Sequence, residues 1–345
     1  MVDVAREELD RSDWLAFLDA QRDVSIFHTP EMHRVWAAAP CHRPTLWVAR
    51  LSSGAIGAML PVVDVSVVDG PLRSWTTRTV AYGGVVCDTS SPEGSAALRA
   101  LLARYRTMSA PAMFTELRHV VDVGAIAPDL RAAGFVHERH LNYLIHLDRP
   151  RAELWSALSR TARQRVRSAE RKGVRVVDAA NDAEVDAAYA LLDAVYRSAH
   201  VPLAPRGLFD AAMQTLHPIG SLRVVVAMVD DQVIAARFLL CHRDRVLDWY
   251  AGSDRRYANY SGNELLVWNT LCWAQDQGYT LFDFGGAGKP DEPYGPREFK
   301  AKFGGDLVDH GRDVLVHRPA RLAVTRTGYA VTRKVLWRRR RVPAR

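Results

Sequence analysis

The sequence predicts an α/β protein built from two similar units, each a mixed, mostly antiparallel sheet flanked by helices. One observation is a repeated hairpin pattern: residues 46–65 and 222–241 each hold two β-rich apolar runs around a short polar turn. A second is that each hairpin is followed in the same order by a strand, a capped helix and another strand. The third is the length of 345 residues, which is enough for two domains with their own cores.

The elements of the first half follow in this order. Helical sequence precedes the hairpin, whose turn lies at residues 52–54. A helix is expected over 92–108 with Ser91 as its N-cap, because a serine hydroxyl accepts a hydrogen bond from the first amides of a helix. A strand is expected at 112–118, and residues 130–147 are expected to form a turn of helix and a pair of strands.

The second half repeats the order. A helix is expected over 262–277 and ends at Gly278, because glycine readily adopts the left-handed conformation that terminates helices. A strand at 279–284 follows, and residues 299–317 close the unit with a short helix and further strand sequence.

The boundary between the repeats is expected in the stretch 148–155, where Pro150 interrupts the chain. This placement gives an N-terminal domain at 1–150 and a C-terminal domain at 151–320, followed by a separate tail at 321–345.

Charge is distributed unevenly along the chain. The content of 48% hydrophobic and 25% charged residues is that of a soluble globular protein, and the formal net charge is +7. Residues 321–345 carry nine Lys/Arg and no Asp/Glu, which leaves 37 basic against 39 acidic residues in 1–320. Such a tail is suited to anionic lipid headgroups or RNA phosphates. A purely solubilising role is the alternative.

The cysteines and the N-terminus indicate a cytoplasmic protein. Cys41, Cys87, Cys241 and Cys272 are widely spaced and form no CxxC pair, which predicts buried thiols in a reducing compartment. There is no signal-peptide pattern and no run of about 18 apolar residues. No cofactor and no metal site is expected, because HxxxH and HExxH spacings are absent.

The stretch 282–305 carries the strongest functional signal. Asp283 stands between buried-strand residues, and Gly285 and Gly286 let backbone approach a ligand closely. Lys300 follows in a short FKxKF helix, which brings its ammonium beside the strand end. Strand, glycine turn and lysine together indicate a site for a negatively charged group. An ordinary strand–loop–helix with solvated lysines is the alternative.

A second basic region occupies residues 158–176. Residues 160–175 contain seven basic side chains, opposed only by Glu170. A helix this basic can follow phosphate groups. Val166 and Ala169 provide positions for packing, so a helix with one packed and one solvated face is the alternative.

Several segments together resemble the FemAB-type transferases. They are YAGS (250–253), GNELLVWNTLCWAQDQGY (262–279), FDFGGAG (282–288) and FKAKFGG (299–305), with SRTARQRVRSAERKGV (159–174) and FHTPEMHRVW (27–36). The resemblance covers most of residues 14–318. It implies two GNAT-type acyltransferase domains in tandem, in agreement with the repeat. It also implies transfer of an acyl group, in the best-known members an aminoacyl group from aminoacyl-tRNA, onto an amine of a peptidoglycan precursor.

The resemblance implies that the acceptor binds on the N-terminal side and that the donor and the chemistry lie on the C-terminal side. It also implies two catalytic residues, and Asp283 is a third candidate. Lys300 would face the reacting ester, and its ammonium would stabilise the oxyanion or the departing ribose oxygen. Tyr250, at the end of a predicted strand, would donate to the acyl carbonyl or orient the amine, although strand tyrosines are also common packing residues. Asp283 would accept the proton of the attacking amine. Its alternative role is to cap the loop glycines.

Binding residues are implied in the same way. Donor contacts are expected at Gly285, Gly286, Phe299, Lys302, Arg255 and Arg256, and acceptor contacts at Arg34, Tyr82, Gly83 and Arg206. At two positions where the family contacts a nucleotide sugar, this chain has Ala204 and Leu208, with Arg206 displaced between them. The acceptor is therefore expected to differ from the usual UDP-linked muropeptide.

The donor is either an aminoacyl-tRNA or an acyl-CoA. Residues 255–266 lack the glycine-rich loop with which CoA-using GNAT domains bind pyrophosphate. Ser261 and Glu264 instead match a capping box, which would satisfy the helix amides and place negative charge where pyrophosphate would bind. We therefore expect tRNA, while Arg255 and Arg256 keep the CoA alternative open.

The sequence thus predicts an N-acyltransferase that moves an acyl group, preferably aminoacyl, onto an amine of a cell-envelope precursor, either peptidoglycan or polysaccharide. The expected partners are the acyl donor, the amine-bearing precursor and, through residues 321–345, the anionic inner surface of the membrane. One alternative is an acetyl- or acyl-CoA-dependent N-acetyltransferase. The other is a non-catalytic GNAT-like scaffold that binds tRNA or membrane.

Overall fold

The computed structural model describes residues 2–66, 73–108, 112–179, 181–199 and 201–324. They form two compact units. The first unit comprises the described residues up to Glu138 and again from Gly311 onward, and the second unit runs from Arg139 to His310.

Within its described residues, the first unit contains an eight-stranded sheet. Its strands are β1 (Asp3–Arg6), β2 (His42–Arg50), β3 (Ile56–Val65), β4 (Arg78–Tyr82), β5 (Val86–Cys87), β6 (Phe114–Arg118), β7 (Val136–Glu138) and, near the end of the chain, β15 (Arg312–Val316). The strand order is β1-β2-β3-β4-β6-β15-β7, and β5 pairs with β3 off this path. β4 and β6 run parallel, whereas the other neighbours are antiparallel.

Helices pack against this sheet. They are α1 (Arg11–Asp19), α2 (Pro30–Ala38), α3 (Pro92–Thr107) and α4 (Ala127–Ala132). α3 begins as predicted, because the Ser91 hydroxyl accepts a hydrogen bond of 3.0 Å from the Gly94 amide. α3 also lies very close to β3: a Cβ added at Gly57 would be 2.6 Å from the Cβ of Ala97, so glycine permits this packing.

The second unit contains a seven-stranded sheet within its described residues. Its strands are β8 (Leu141–His146), β9 (Arg175–Asp178), β10 (Leu222–Val229), β11 (Gln232–His242), β12 (Arg245–Ser253), β13 (Leu281–Gly286) and β14 (Asp306–Asp309). The strand order is β14-β8-β13-β12-β11-β10-β9, with β12 and β13 parallel and the other pairs antiparallel.

The helices of the second unit enclose its core. They are α5 (Arg151–Ala157), α6 (Arg160–Arg171), α7 (Asp182–Ala199), α8 (Arg206–Thr215), α9 (Gly262–Asp276) and α10 (Gly295–Ala301). α6 and α9 share one buried cluster with the strands, to which Val166, Leu266 and Phe282 belong. α7 packs on β12, where a Cβ at Gly252 would lie 3.0 Å from the Leu192 side chain.

The two sheets differ at the parallel pair. In the first unit β4 and β6 stay paired to the end of β4, and the Gly83 amide extends the pairing by donating to the Arg118 carbonyl at 2.8 Å. In the second unit β12 pairs with β13 only from Arg245 to Leu247, although β12 continues to Ser253. The pairing between β12 and β13 therefore ends at Leu247, and the remaining edges of both strands are left for other contacts.

The fold confirms several sequence predictions and changes one. The expected hairpins are β2–β3 and β10–β11, and the expected long helices are α3 and α9. Residues 130–147, by contrast, do not form a pair of strands. β7 joins the first sheet, whereas β8 lies between β14 and β13 in the second sheet.

β15 also belongs to the first sheet, although it lies near the end of the chain. It is placed between β6 and β7. The compact units therefore differ from the contiguous ranges 1–150 and 151–320 expected from the sequence. A strand pattern shows that a strand forms, but it does not show which sheet accepts that strand.

Among the described residues, no helix has both the length and the apolar character needed to cross a bilayer. The four cysteines are thiols; Cys241 is buried as predicted, whereas the other three are half-buried. Most of the basic tail at 321–345 lies outside the described residues, which end at 324.

Candidate functional site

The site begins at the end of β13. Phe282, Asp283 and Phe284 are buried, as the sequence predicts. Gly285 then adopts a φ of +67°, a left-handed conformation that favours glycine, and Gly286 ends the strand. The turn brings the backbone of β13 close to β12: a Cβ at Gly285 would lie 3.5 Å from the Asp248 carbonyl oxygen.

Lys300 of α10 lies against this turn. Its ammonium donates to the carbonyl oxygens of Phe284, Gly285 and Gly286 at 2.5, 3.3 and 2.8 Å. The Nζ atom therefore lies within hydrogen-bonding distance of three carbonyl oxygens of one turn. Burial lowers the pKa of Lys300 to about 8, against the opposing effect of the nearby Asp248 carboxylate. Lys300 is therefore a half-buried cation at the strand end.

The loop before α10 is held by Arg297. Its guanidinium donates to the carbonyl oxygens of Ala287 at 2.7 Å and Pro290 at 3.2 Å, and also to that of Lys289. The Lys302 carbonyl at the C-terminal end of α10 accepts a hydrogen bond of 2.7 Å from the Ser159 amide. Both ends of α10 are thus fixed, and the position of Lys300 is fixed with them.

Asp283 is fully buried beside this cation. One carboxyl oxygen accepts a hydrogen bond of 2.7 Å from the Gly285 amide, and Arg245 lies 3.8 Å from the other. Burial raises the pKa of Asp283 above its ordinary value. This geometry is that of the loop cap which the sequence analysis kept as an alternative.

Sequence reasoning missed a buried ion pair next to Lys300. Arg237 of β11 donates to Asp248 of β12 and, at 2.8 Å, to the side-chain oxygen of Asn263 at the start of α9. The side chains of Arg237 and Asp248 are only 2% and 5% exposed. The Arg237 guanidinium and the Lys300 ammonium each lie 5.8 Å from the Phe284 ring. A single arginine inside the apolar run VIAARFLLC was the available signal, since a buried charge needs a partner.

Tyr250 belongs to an aromatic group on the same strand. Its ring lies 4.9 Å from Trp249, 4.9 Å from Phe209 and 6.1 Å from Tyr196. Burial and the Asp248 charge raise the pKa of Tyr196 to about 12, so this phenol stays neutral and lies near that carboxylate. Tyr250 is half-buried, in keeping with the packing role that the sequence left open.

The remaining predicted donor residues divide into two groups. Phe299 packs on the core 5.2 Å from Phe303, and the Lys302 ammonium lies 6.0 Å from the Phe299 ring. Arg255 and Arg256 are exposed in the short helical turn before α9, and Arg256 is paired with Asp254 at 2.7 Å.

The capping box expected at the start of α9 is absent. Ser261 adopts a left-handed φ of +59°, and its side chain accepts no capping hydrogen bond. The buried Glu264 carboxylate instead accepts a hydrogen bond of 2.6 Å from Arg165 on α6. This prediction was wrong because the glutamate finds a cationic partner 99 residues away in sequence.

Most of the basic residues of α6 have structural partners. Arg163 donates to the carbonyl oxygens of Ser156 at 2.8 Å and Leu158, which end α5, and Arg167 lies 5.4 Å from the Trp155 ring. Val166 and Ala169 of the same helix are buried. The packed helix that the sequence analysis kept as an alternative therefore accounts for much of this charge.

The expected acceptor residues lie in both units. In the first unit, Tyr82 stacks 5.3 Å from Trp36 and helps line a small apolar pocket, and Gly83 adopts a φ of +84°. Arg34, also in the first unit, is largely exposed and lies 3.7 Å from Glu31.

Arg206 lies in the second unit and begins α8. It pairs with Asp210 at 2.7 Å and with Asp186, so carboxylates already contact its guanidinium.

Beside Tyr82 the first unit contains a cluster that the sequence did not reveal. Glu116 accepts hydrogen bonds from Arg118 at 2.8 Å and from Arg312 at 2.6 Å. These two cations, against the effect of burial, lower the pKa of Glu116 to about 2. Among the described residues, no group of three or more His, Cys, Asp and Glu could hold a metal ion.

Comparison with known proteins identifies the domain that carries the Lys300 site. The family model described as an acetyltransferase (GNAT) domain matches residues 156–300. Among curated proteins, no sequence matches the chain significantly.

Solved structures share the fold along almost the whole chain. The crystal structure of FemX has a TM-score of 0.71 at 14% identity and covers 93% of this chain and 100% of its own. L-PGS from Bacillus licheniformis has a TM-score of 0.56 at 13% identity, with 93% and 97% covered. A tandem GNAT protein from the clavulanic acid biosynthesis pathway has a TM-score of 0.56 at 11% identity, with 92% and 99% covered.

These likenesses establish the fold. The chain has the tandem GNAT fold that the sequence predicts, and residues 156–300 form a GNAT acetyltransferase domain. The expectation of an acyltransferase is confirmed at this level.

Proposed function

Because residues 156–300 form a GNAT domain, we propose that this protein transfers an aminoacyl group from aminoacyl-tRNA onto an amine of a cell-envelope precursor. The observation that carries the proposal is the Lys300 ammonium, which lies at the end of β13 beyond the last residues paired with β12. A preorganised cation at the end of a strand is suited to stabilising negative charge on an ester.

The reaction is an aminolysis of the ester. The acceptor nitrogen attacks the acyl carbonyl carbon, a C–N bond forms, the C–O bond to the ribose breaks, and the amine proton is passed on to the departing oxygen. Lys300 stabilises the oxyanion or the departing oxygen. Asp283 does not serve as the base in this proposal, since its buried carboxyl group is held by the Gly285 amide. Tyr250 keeps its proposed role of orienting the acyl carbonyl or the amine.

The capping box expected at Ser261 and Glu264 is absent, so it does not support tRNA as the donor. FemX and L-PGS share the fold, and the resemblance of residues 250–305 to the FemAB-type transferases supports an aminoacyl donor for this chain. Glu264 still places a carboxylate at the start of α9, but Arg165 now neutralises much of its charge. We therefore keep an acyl-CoA-dependent N-acetyltransferase as the second candidate, which the acetyltransferase description of the domain favours.

Acceptor recognition is proposed for the first unit. Tyr82, Gly83 and Arg34 are the contacts expected there. Arg206 remains a separate candidate for an acceptor contact within the second unit. The basic residues at 321–345 would attach the protein to the anionic inner surface of the membrane, where lipid-linked precursors are found.

One experiment separates the candidates. Purified protein is incubated with tRNA charged with a mixture of labelled amino acids, and in parallel with acetyl-CoA, each with a lysine-containing muropeptide. Consumption of charged tRNA together with labelling of the muropeptide supports the proposal. Consumption of acetyl-CoA alone supports the second candidate. If neither donor is consumed and Lys300→Ala binds tRNA like the wild type, the non-catalytic scaffold is favoured.

A further inference from the structure

The Arg237–Asp248 ion pair has two polar atoms whose hydrogen-bonding capacity is unused. One Arg237 nitrogen binds Asp248 Oδ2 and a second binds Asn263. Within the part of the chain that the structure describes, Arg237 Nε and Asp248 Oδ1 have no hydrogen-bond partner, although both are buried. A donor and an acceptor of one ion pair are thus both unsatisfied.

Such a pair is costly unless something binds it. A buried donor or acceptor without a partner is energetically unfavourable, and more so when the group is charged. The pair is also placed at a functionally relevant point: Asp248 immediately follows Leu247, the last residue of β12 that pairs with β13. The Lys300 ammonium is close to Asp248 as well, since that carboxylate opposes the lowering of its pKa.

We propose that Arg237 and Asp248 recognise the α-aminoacyl group of the donor, with Arg237 Nε–H donating to the acyl carbonyl oxygen and Asp248 Oδ1 accepting from the α-ammonium. This inference rests on the proposed function and adds the residues that select the acyl group. An α-aminoacyl ester has both groups on neighbouring carbons, with the carbonyl oxygen and the α-nitrogen three bonds apart. An acetyl group has the carbonyl alone and leaves Asp248 Oδ1 unpaired.

The surroundings favour an ammonium over a neutral N–H group. A carboxylate forms its strongest hydrogen bonds with charged donors. The aromatic rings of Tyr196, Trp249 and Tyr250 lie next to Asp248 on α7 and β12, and aromatic rings attract cations. The ion pair is neutral and the Lys300 ammonium adds one positive charge, so Asp248 is the group of the three that attracts an α-ammonium. A donor molecule with an amide group could also pair with these two atoms, because an amide has both an N–H group and a carbonyl oxygen. The test must therefore distinguish a charged ammonium from a neutral amide.

The test is a comparison of tRNA affinities that needs no turnover. Filter binding measures the full-length wild type and Asp248→Asn with three ligands: tRNA charged with mixed amino acids, the same tRNA after N-acetylation of the amino acids, and uncharged tRNA. We expect the wild type to bind the charged tRNA about tenfold more tightly than the N-acetylated form, because a hydrogen bond to a charged group is lost on acetylation. In Asp248→Asn the two affinities should agree within about twofold.

The controls distinguish this inference from the proposed function. Asp276→Asn changes an exposed carboxylate at the far end of α9 and should keep the wild-type preference. If the wild type shows no preference, or Asp248→Asn keeps it, the inference is refuted whether or not the variant is less stable. If the wild type binds none of the tRNAs and consumes acetyl-CoA, the proposed function fails instead.

Discussion

Lys300 and Gly286 are joined by a hydrogen bond of 2.8 Å from the ammonium to the backbone carbonyl oxygen. Together with the bonds to Phe284 and Gly285, it places a cation at the C-terminal end of β13 and fixes α10 to that strand. Carbonyl groups carry only partial charges, so the ammonium is held in place without being neutralised. The Lys300 ammonium therefore has both a fixed position and a positive charge, and we expect the reaction to depend on each.

Lys300→Ala should lower kcat/KM by about 100-fold or more, because it removes the cation that stabilises charge on the ester. The loss should fall mainly on kcat, since the interaction strengthens in the transition state. Steady-state kinetics with the donor identified above measure both constants. Lys289→Ala, an exposed lysine in the preceding loop, is the matched control and should retain activity. A nearly normal kcat of Lys300→Ala would show that Lys300 has no role in catalysis.

The rate of the wild type should fall as pH rises through about 8, the pKa of Lys300, because the ammonium is lost above that value. Lys300→Arg keeps its charge throughout this range, so its profile should lack the decline. The measurement is kcat/KM between pH 6 and pH 10 for both proteins with the same acceptor, so that ionisation of the acceptor cancels in the comparison. A wild-type rate that rises through pH 8 relative to Lys300→Arg would indicate that neutral Lys300 acts as a base.

Asp283→Ala should destabilise the second unit by about 1–3 kcal/mol, because the Gly285 amide loses its buried acceptor. Asp283→Asn should cost less, because its amide oxygen still accepts from Gly285 and burial already disfavours the charged carboxylate. Urea unfolding measures both free energies. The activities of the wild type and Asp283→Asn are compared as well. An Asp283→Asn protein that is stable but inactive would support Asp283 as the proton acceptor.

Replacing Arg338, Arg339, Arg340 and Arg341 together with glutamine should weaken binding to anionic vesicles by about 100-fold or more, since each basic residue near such a surface contributes about 1 kcal/mol. Vesicle co-sedimentation at two salt concentrations measures the effect, and neutral phosphatidylcholine vesicles are the control. If vesicle binding changes neither with the substitutions nor with the salt concentration, residues 321–345 do not attach the protein to anionic membranes.

The sequence predicted best what depends on local chemistry. The N-cap at Ser91, the end of α9 before Gly278 and the placement of Lys300 beside the β13 turn all depend on residues close together in the chain. Periodicity and turn residues determine such features, so a sequence pattern is sufficient to find them.

Features that depend on distant partners were not predictable in this way. Glu264 was expected to cap its own helix, but it binds Arg165 on α6. The Arg237–Asp248 pair joins neighbouring strands in a register that a bulge in β12 alters, and no local pattern encodes that bulge.

β15, near the end of the chain, belongs to the first sheet, and β8 from the first half of the chain belongs to the second sheet. This arrangement determines when each sheet can be completed during synthesis. The ribosome must complete residues 312–316 before the first sheet gains the strand between β6 and β7. A fragment cut at 151–320 would lack β8, and β13 and β14 would then lose the strand that joins them. Expression of either half alone should therefore yield aggregation-prone protein with unpaired strand edges, whereas a second-unit fragment beginning at Arg139 retains its complete sheet.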